Sequence, residues 1–163
     1  LIGSEPLHGR QISLALDLVG ARAHAGLPTR PTLRGWVLRA LERDAQITLV
    51  FVGTAAGRRL NREYRGRDYA TNVLTFAYEA IPAGGGARGP VTADIVLCVP
   101  VVQREARAQG KALRAHLAHL VVHGVLHAQG YDHETNRDAQ RMQAREAQLL
   151  AGLRIRDPYA GAA

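Results

Sequence analysis

Eleven residues constrain this chain more than any others: His123-Gly124-Val125-Leu126-His127-Ala128-Gln129-Gly130-Tyr131-Asp132-His133. Three of its seven histidines fall here, at relative positions 0, +4 and +10. His123 and His127 are one helical turn apart, so both imidazoles leave the same face of a helix. Gly130 can end that helix, because glycine takes the left-handed conformation without strain. The chain can then turn back and bring His133 in from a second direction. Three neutral nitrogens converging in this way leave a fourth position open. That is the arrangement of a catalytic zinc site; a closed structural site would fill all four positions. Zinc is the expected ion, although three imidazoles also suit other first-row metals.

The same helix carries two more histidines, His116 and His119, on nearly the same stripe. They compete with His123 and His127 as ligands. Lone histidines on an apolar helix are more often hydrogen-bonded core residues, and both are expected to be so. The lone cysteine, Cys98, excludes an internal disulfide and any multi-cysteine metal site, and suits a reducing cytoplasm. It lies in the apolar run Ile95-Val96-Leu97-Cys98-Val99 and is expected to be buried. No segment has the apolar length of a membrane span.

In chain order, residues 1–10 show no periodicity and read as a leader or expression remnant. Residues 11–163 read as a single domain of ordinary globular composition. Strands are expected at Ile12–Val19, Ile47–Val52, Thr71–Ala77 and Asp94–Val99. Helices are expected from a Thr32 cap to about Arg43, from a Thr54 cap to about Tyr64, and from Pro100 to Gln109. Two more should run from Lys111 to Gln129 and from a Thr135 cap to about Leu150. Met142, Leu149 and Leu150 should face inward on the last. Pro82–Pro90 reads as a glycine-rich loop. The sum is an α+β fold, one small mixed four-stranded sheet flanked by about five helices, with the histidine-bearing helix at its centre.

The histidine spacing is that of the zinc-protease signature H-E-x-x-H-x-x-G-x-x-H. In those enzymes the glutamate after the first histidine is the general base. Here Gly124 stands in its place. The scaffold is protease-like, but the proton acceptor of a peptidase is missing.

Two longer blocks carry a specific resemblance. His123-Gly124-x-Leu126-His127-x-x-Gly130-Tyr131-Asp132-His133 is one. Leu60-Asn61-x-x-Tyr64-Arg65-x-x-Asp68-x-x-Thr71-Asn72-Val73-Leu74-Thr75-Phe76 is the other, supported by Asp94-Ile95-Val96-Leu97-Cys98. Together they resemble the signatures of the YbeY family of bacterial endoribonucleases, over about Ile12 to Tyr159. Thr75, Ala77 and Ala93 stand where serine, proline and glycine are usual in the family; none removes a ligand or a charge. The resemblance implies a single-strand-directed, metal-dependent endoribonuclease. Its expected work is rRNA maturation, notably at the 16S 3′ end, and ribosome quality control. Its expected partners are rRNA and the ribosome or small-subunit assembly proteins. It implies one zinc ion on His123, His127 and His133, and a functional role for Arg65.

Phosphodiester cleavage needs a nucleophile, relief of charge on the phosphate oxygens and protonation of the leaving group. Zinc can lower the pKa of bound water to about 7, or polarise a phosphate oxygen while a 2′-OH attacks. Arg65 is the expected second positive group, since a guanidinium can clamp phosphate at two points. Its alternative fate is a salt bridge to Asp68. Arg58, Arg59, Arg62 and Arg67 join it to put five positive charges into ten residues. Within a formal net charge of +7, they suggest a groove that tracks an anionic backbone. Asp132 is expected to orient a ligand histidine, and Tyr131 to pack. Two other readings stand beside this one: an RNA-binding ribosome-assembly factor with a structural zinc, and a zinc hydrolase of peptides or small molecules. Gly124 weighs against the peptidase.

Overall fold

Stretches with alternating or continuous apolar residues become four strands: β1 (Leu14–Val19), β2 (Ala45–Val52), β3 (Val73–Tyr78) and β4 (Val91–Cys98). Five helices join them: α1 (Arg30–Ala40), α2 (Thr54–Arg65), α3 (Val99–Ala108), α4 (Leu113–Ala128) and α5 (Asn136–Gly152). The structure, a computed structural model, describes residues 11–78 and 89–160. Residues 1–10 and most of the glycine-rich stretch Pro82–Pro90 lie outside the described residues.

The sheet has the order β1-β2-β4-β3. β1, β2 and β4 run parallel, and β3 returns antiparallel along β4 at the edge. The sheet is therefore mixed and the fold is α+β. The central strand β4 is nearly all apolar because both of its faces are covered. On one face Ile95 meets α4 at Gly124; on the other Cys98 meets α2 at Gly57. Side chains alternate along a strand, so α4 and α2 lie on opposite faces of the sheet.

Helix α4 packs against α1, α3, α5, β3 and β4. It is apolar around most of its circumference, with Leu117, Val121, Val122, Val125 and Leu126 fully buried, as suits a central helix. Cys98 is buried as expected. None of the described helices is long and apolar enough to cross a membrane.

Some element boundaries move. Helix α1 starts at Arg30 behind an extended Thr29, three residues before the expected Thr32 cap. Pro31 explains the shift: its fixed φ and missing N–H suit a first helical turn. Thr54 is the first residue of α2, and the extended Gly53 takes the N-cap position. Thr135 does cap α5, accepting from the Asp138 backbone N–H at 3.1 Å. Strand β4 begins at Val91, earlier than the expected Asp94, because Val91, Thr92 and Ala93 pair with Ala45, Gln46 and Ile47 of β2.

Candidate active site

Helix α4 stops as its sequence suggests. Gly130 has a φ of 100°, and its N–H bonds to the His127 carbonyl at 3.0 Å. The Tyr131 N–H then bonds to the Leu126 carbonyl at 3.1 Å, which reverses the chain. The turn is moored to α1 by the buried Gln129. Its amide donates to the carbonyls of Ala40 at 2.8 Å and Val125 at 3.2 Å, and accepts from the Glu42 N–H at 2.7 Å. Tyr131 packs under Arg141 and donates to Glu42, as a structural residue would.

This reversal brings His133 to His123 and His127. One ring nitrogen from each lies within 4.8 Å of the others. The ring centroids are 4.7 Å apart for His123–His127, 5.0 Å for His127–His133 and 6.1 Å for His123–His133. Nitrogens at zinc bonding distance in a tetrahedron are about 3.3 Å apart, so modest side-chain adjustment closes the tripod on an ion. His123 and His127 are half-buried and His133 is exposed, leaving an open side. Burial, then the charges of His123, His133 and Arg65, lower the pKa of His127 to about 4 against the opposing Tyr131 backbone bond. His127 is thus a neutral lone-pair donor at pH 7. Three imidazoles with one open side fit a catalytic metal.

A carboxylate stands behind this tripod. Glu146 of α5 is fully buried, and its Oε1 lies 2.6 Å from the His123 Nδ1. Its Oε2 accepts from the His119 Nε2 at 2.9 Å and from the Tyr159 hydroxyl. Burial pushes the carboxyl up, but the bonds from His119, His123 and Tyr159 outweigh it and hold the group at about 2. Burial and the same carboxylate push the Tyr159 hydroxyl well above its usual range. His119, His123 and Glu146 form a second group within metal-binding reach. Their separations of 2.6 and 2.9 Å, however, are hydrogen-bond lengths, shorter than those of ligands around zinc. His116 is a core histidine held through one nitrogen, its Nε2 lying 3.0 Å from Glu105.

Asp132, expected to orient a ligand, accepts from the Glu134 N–H at 3.2 Å. The carboxylate that meets a tripod histidine is Glu146. One signal in the sequence could have found it. Glu146 lies four residues after Met142 and three before Leu149, so a charged residue occupies the inward stripe of α5. Tyr159 carries no comparable signal.

Gly124 now has a physical reason. A Cβ there would lie 2.8 Å from the Ile95 Cγ2 and 3.3 Å from the Thr75 Oγ1. A side chain at this position would press on Ile95, so glycine lets the helix pack close against β3 and β4.

Arg65 ends α2, because Gly66 takes a left-handed φ of 68° and caps the helix. Beside it, the Tyr64 ring meets Phe76 edge-on at 4.9 Å. Phe76 points to the face of β3 opposite Thr75, which faces α4. The end of α2 therefore sits at the sheet's edge, and the Arg65 charge is felt at His127 on the other side. Arg65 is exposed and has no hydrogen bond or ion pair among the described residues. The alternative partner, Asp68, is taken by Arg58 through two bonds of 2.8 Å, with Arg62 at 3.9 Å. Arg67 donates to the Tyr69 hydroxyl at 3.4 Å, and Arg59 is unpaired among the described residues. The expected arginine groove is thus divided: Arg59 and Arg65 are available, and Arg58 is held.

Comparison with known proteins gives concordant results. Residues 33–154 match the family model for Endoribonuclease YbeY. The Endoribonuclease YbeY of Methylibium petroleiphilum is 53% identical over 149 residues, spanning 91% of this chain and 95% of that protein. That of Polaromonas sp. is 55% identical over 155 residues, spanning 92% and 96%. That of Cupriavidus necator is 56% identical over 145 residues, spanning 89% and 70%. Among solved structures, a Thermotoga maritima protein determined in solution is 21% identical with a TM-score of 0.50, over 86% of this chain and 91% of that one, and shares the fold.

Proposed function

The chain belongs to the YbeY family and is an endoribonuclease, a hydrolase; from that premise we propose how it cuts and what it cuts. It is a zinc-dependent enzyme acting on single-stranded RNA, and its substrate is ribosomal RNA. It works in the cytoplasm in maturation of the 16S 3′ end and in ribosome quality control, alongside the ribosome or small-subunit assembly proteins. Residues 11–163 act as one domain.

The observation that carries this reading is the pairing of an open histidine tripod with an unneutralised arginine. His123, His127 and His133 are the residues that would hold zinc. Zinc on three neutral imidazoles keeps its positive charge and supplies Lewis acidity to a phosphate oxygen or a water. The rest of the work falls to the chain. Arg65 lies within electrostatic reach of His127 and has no partner among the described residues, so its guanidinium is free to grip two non-bridging oxygens. Its charge offsets the charge that builds on phosphate as the bond breaks. Arg59 extends the positive track along α2 and contributes binding without reading sequence. At Gly124 the chain offers no carboxylate, so peptide hydrolysis lacks its general base.

The test uses single-stranded rRNA fragments with the protein as purified, stripped by chelator, and reloaded with zinc. Cleavage should vanish on stripping and return with zinc. End-group analysis of the products then separates attack by water, which leaves a 5′-phosphate, from attack by the 2′-OH, which leaves a cyclic phosphate. Undiminished cleavage by stripped protein would sink the zinc mechanism. Ribosome binding without cleavage under any metal condition would favour the assembly-factor reading.

A further inference from the structure

We propose that Glu146 is the positioning residue of the metal centre: it accepts a hydrogen bond from the His123 Nδ1–H, turns Nε2 toward the tripod, and is itself held by His119 and Tyr159. The inference rests on the metal reading above, but it concerns how the site is built and makes no use of the substrate.

The geometry carries it. Glu146 spends both oxygens on three donors, at 2.6 Å from His123 and 2.9 Å from His119, with the Tyr159 hydroxyl as the third. A proton on Nδ1 fixes the tautomer of His123 and leaves the Nε2 lone pair as its only ligand atom. Hydrogen bonding to a carboxylate also makes that nitrogen a stronger donor. The bond spans two helices, since His123 is on α4 and Glu146 on α5.

The setting makes a purely structural role a poor explanation. Glu146 is fully buried on a stripe otherwise formed by Met142, Leu149 and Leu150. Burying a carboxylate is costly, and well-packed apolar residues often replace buried ionic groups without loss of stability. Among the described residues no lysine or arginine pairs with Glu146; its partners are two histidines and a tyrosine. A cation on the tripod, one imidazole away, is the counter-charge this anion lacks. Tyr159 extends the same chain of contacts to the segment that follows α5. It also lines a cavity of about 310 Å³ with His123, His133, Met142 and Gln143.

Two measurements decide the matter, neither of which uses RNA. In the zinc-loaded parent, imidazole nitrogen NMR should show His123 bound through Nε2 with a protected proton on Nδ1. Zinc on Nδ1 would overturn the proposal, and this readout needs no variant. In competition with a chelator, Glu146→Gln should hold zinc about 10- to 100-fold more weakly than the parent. Tyr159→Phe, which keeps the charge and removes one donor, should lose less. Cobalt-loaded Glu146→Gln should show an altered visible spectrum, since the ligand field of His123 changes. Unchanged zinc retention and spectrum in Glu146→Gln, with only a lower melting temperature, would make the residue a core polar group and overturn the inference. RNA cleavage that fails while these metal results hold would count against the proposed function alone.

Discussion

The two halves of α4 carry the same side chain and treat it differently. Toward the N-terminus, His116 and His119 are largely buried, each against a carboxylate, Glu105 and Glu146. Toward the C-terminus, His127 faces two other imidazoles, His123 and His133. His123 is the junction, with its Nδ1 on Glu146 and its ring beside those of His127 and His133. Spacing along the helix does not separate these roles. What waits opposite does: His116 and His119 each set one ring nitrogen against a carboxylate, whereas His127 and His133 meet other imidazoles. Helix α2 repeats the division with arginines. Arg58 is neutralised by Asp68, and Arg65 is exposed with no ion pair among the described residues.

If this division is right, substitutions of like residues should have unlike effects. The largest contrast is on α4. His127→Gln should lose tightly bound metal and bring RNA cleavage to background. His116→Leu should keep its metal and cost only stability, roughly 1–3 kcal/mol for the disturbed bond to Glu105. Elemental analysis and a melting curve read both. Equal metal loss in the two variants would break the comparison. Next comes α2. Arg65→Ala should retain metal and fold while cleavage falls about 100- to 1,000-fold, the scale of losing one preorganised charge-stabilising donor. Arg58→Ala should lose no more than a few-fold, because its exposed ion pair with Asp68 contributes little. Single-turnover rates on one RNA fragment compare them directly.

Smaller effects sharpen the picture. Gly124→Ala forces a methyl against Ile95 and should cost about 1–3 kcal/mol, a fall of roughly 2–12 °C in melting temperature. The metal-free protein should also feel pH through His127. Its folded pKa, about 4, lies below the ordinary value of 6.5, so the unfolded chain takes up the proton first on acidification. The contribution of His127 to stability is therefore full above pH 6.5 and is lost as pH falls toward 4. Metal-free His127→Gln should show a flatter melting profile across that window. Smallest of all, Arg59→Ala should weaken RNA binding evenly across sequences and reduce the salt slope by about one.

Much of this was legible before any coordinates, for identifiable reasons. Strand β2 and helix α4 announce themselves through local apolar pattern, and the tripod through three spacings within eleven residues. Gly130 marked the turn because glycine alone takes its φ of 100° cheaply. The partners of charged groups were not legible, because they are set by packing between distant segments. Glu146 is 23 residues from His123 and Tyr159 is 40 from His119, and neither spacing has a period. Asp132 is near His133 in sequence, whereas the carboxylate against His123 comes from the next helix, which local spacing does not reveal.

The bare hydrogen of Gly124 lets α4 settle on the β3–β4 pair without displacing Ile95 or Thr75. A glutamate at this position would press on Ile95 and Thr75, so supplying the peptidase base here means repacking the contact between helix and sheet as well as changing one residue.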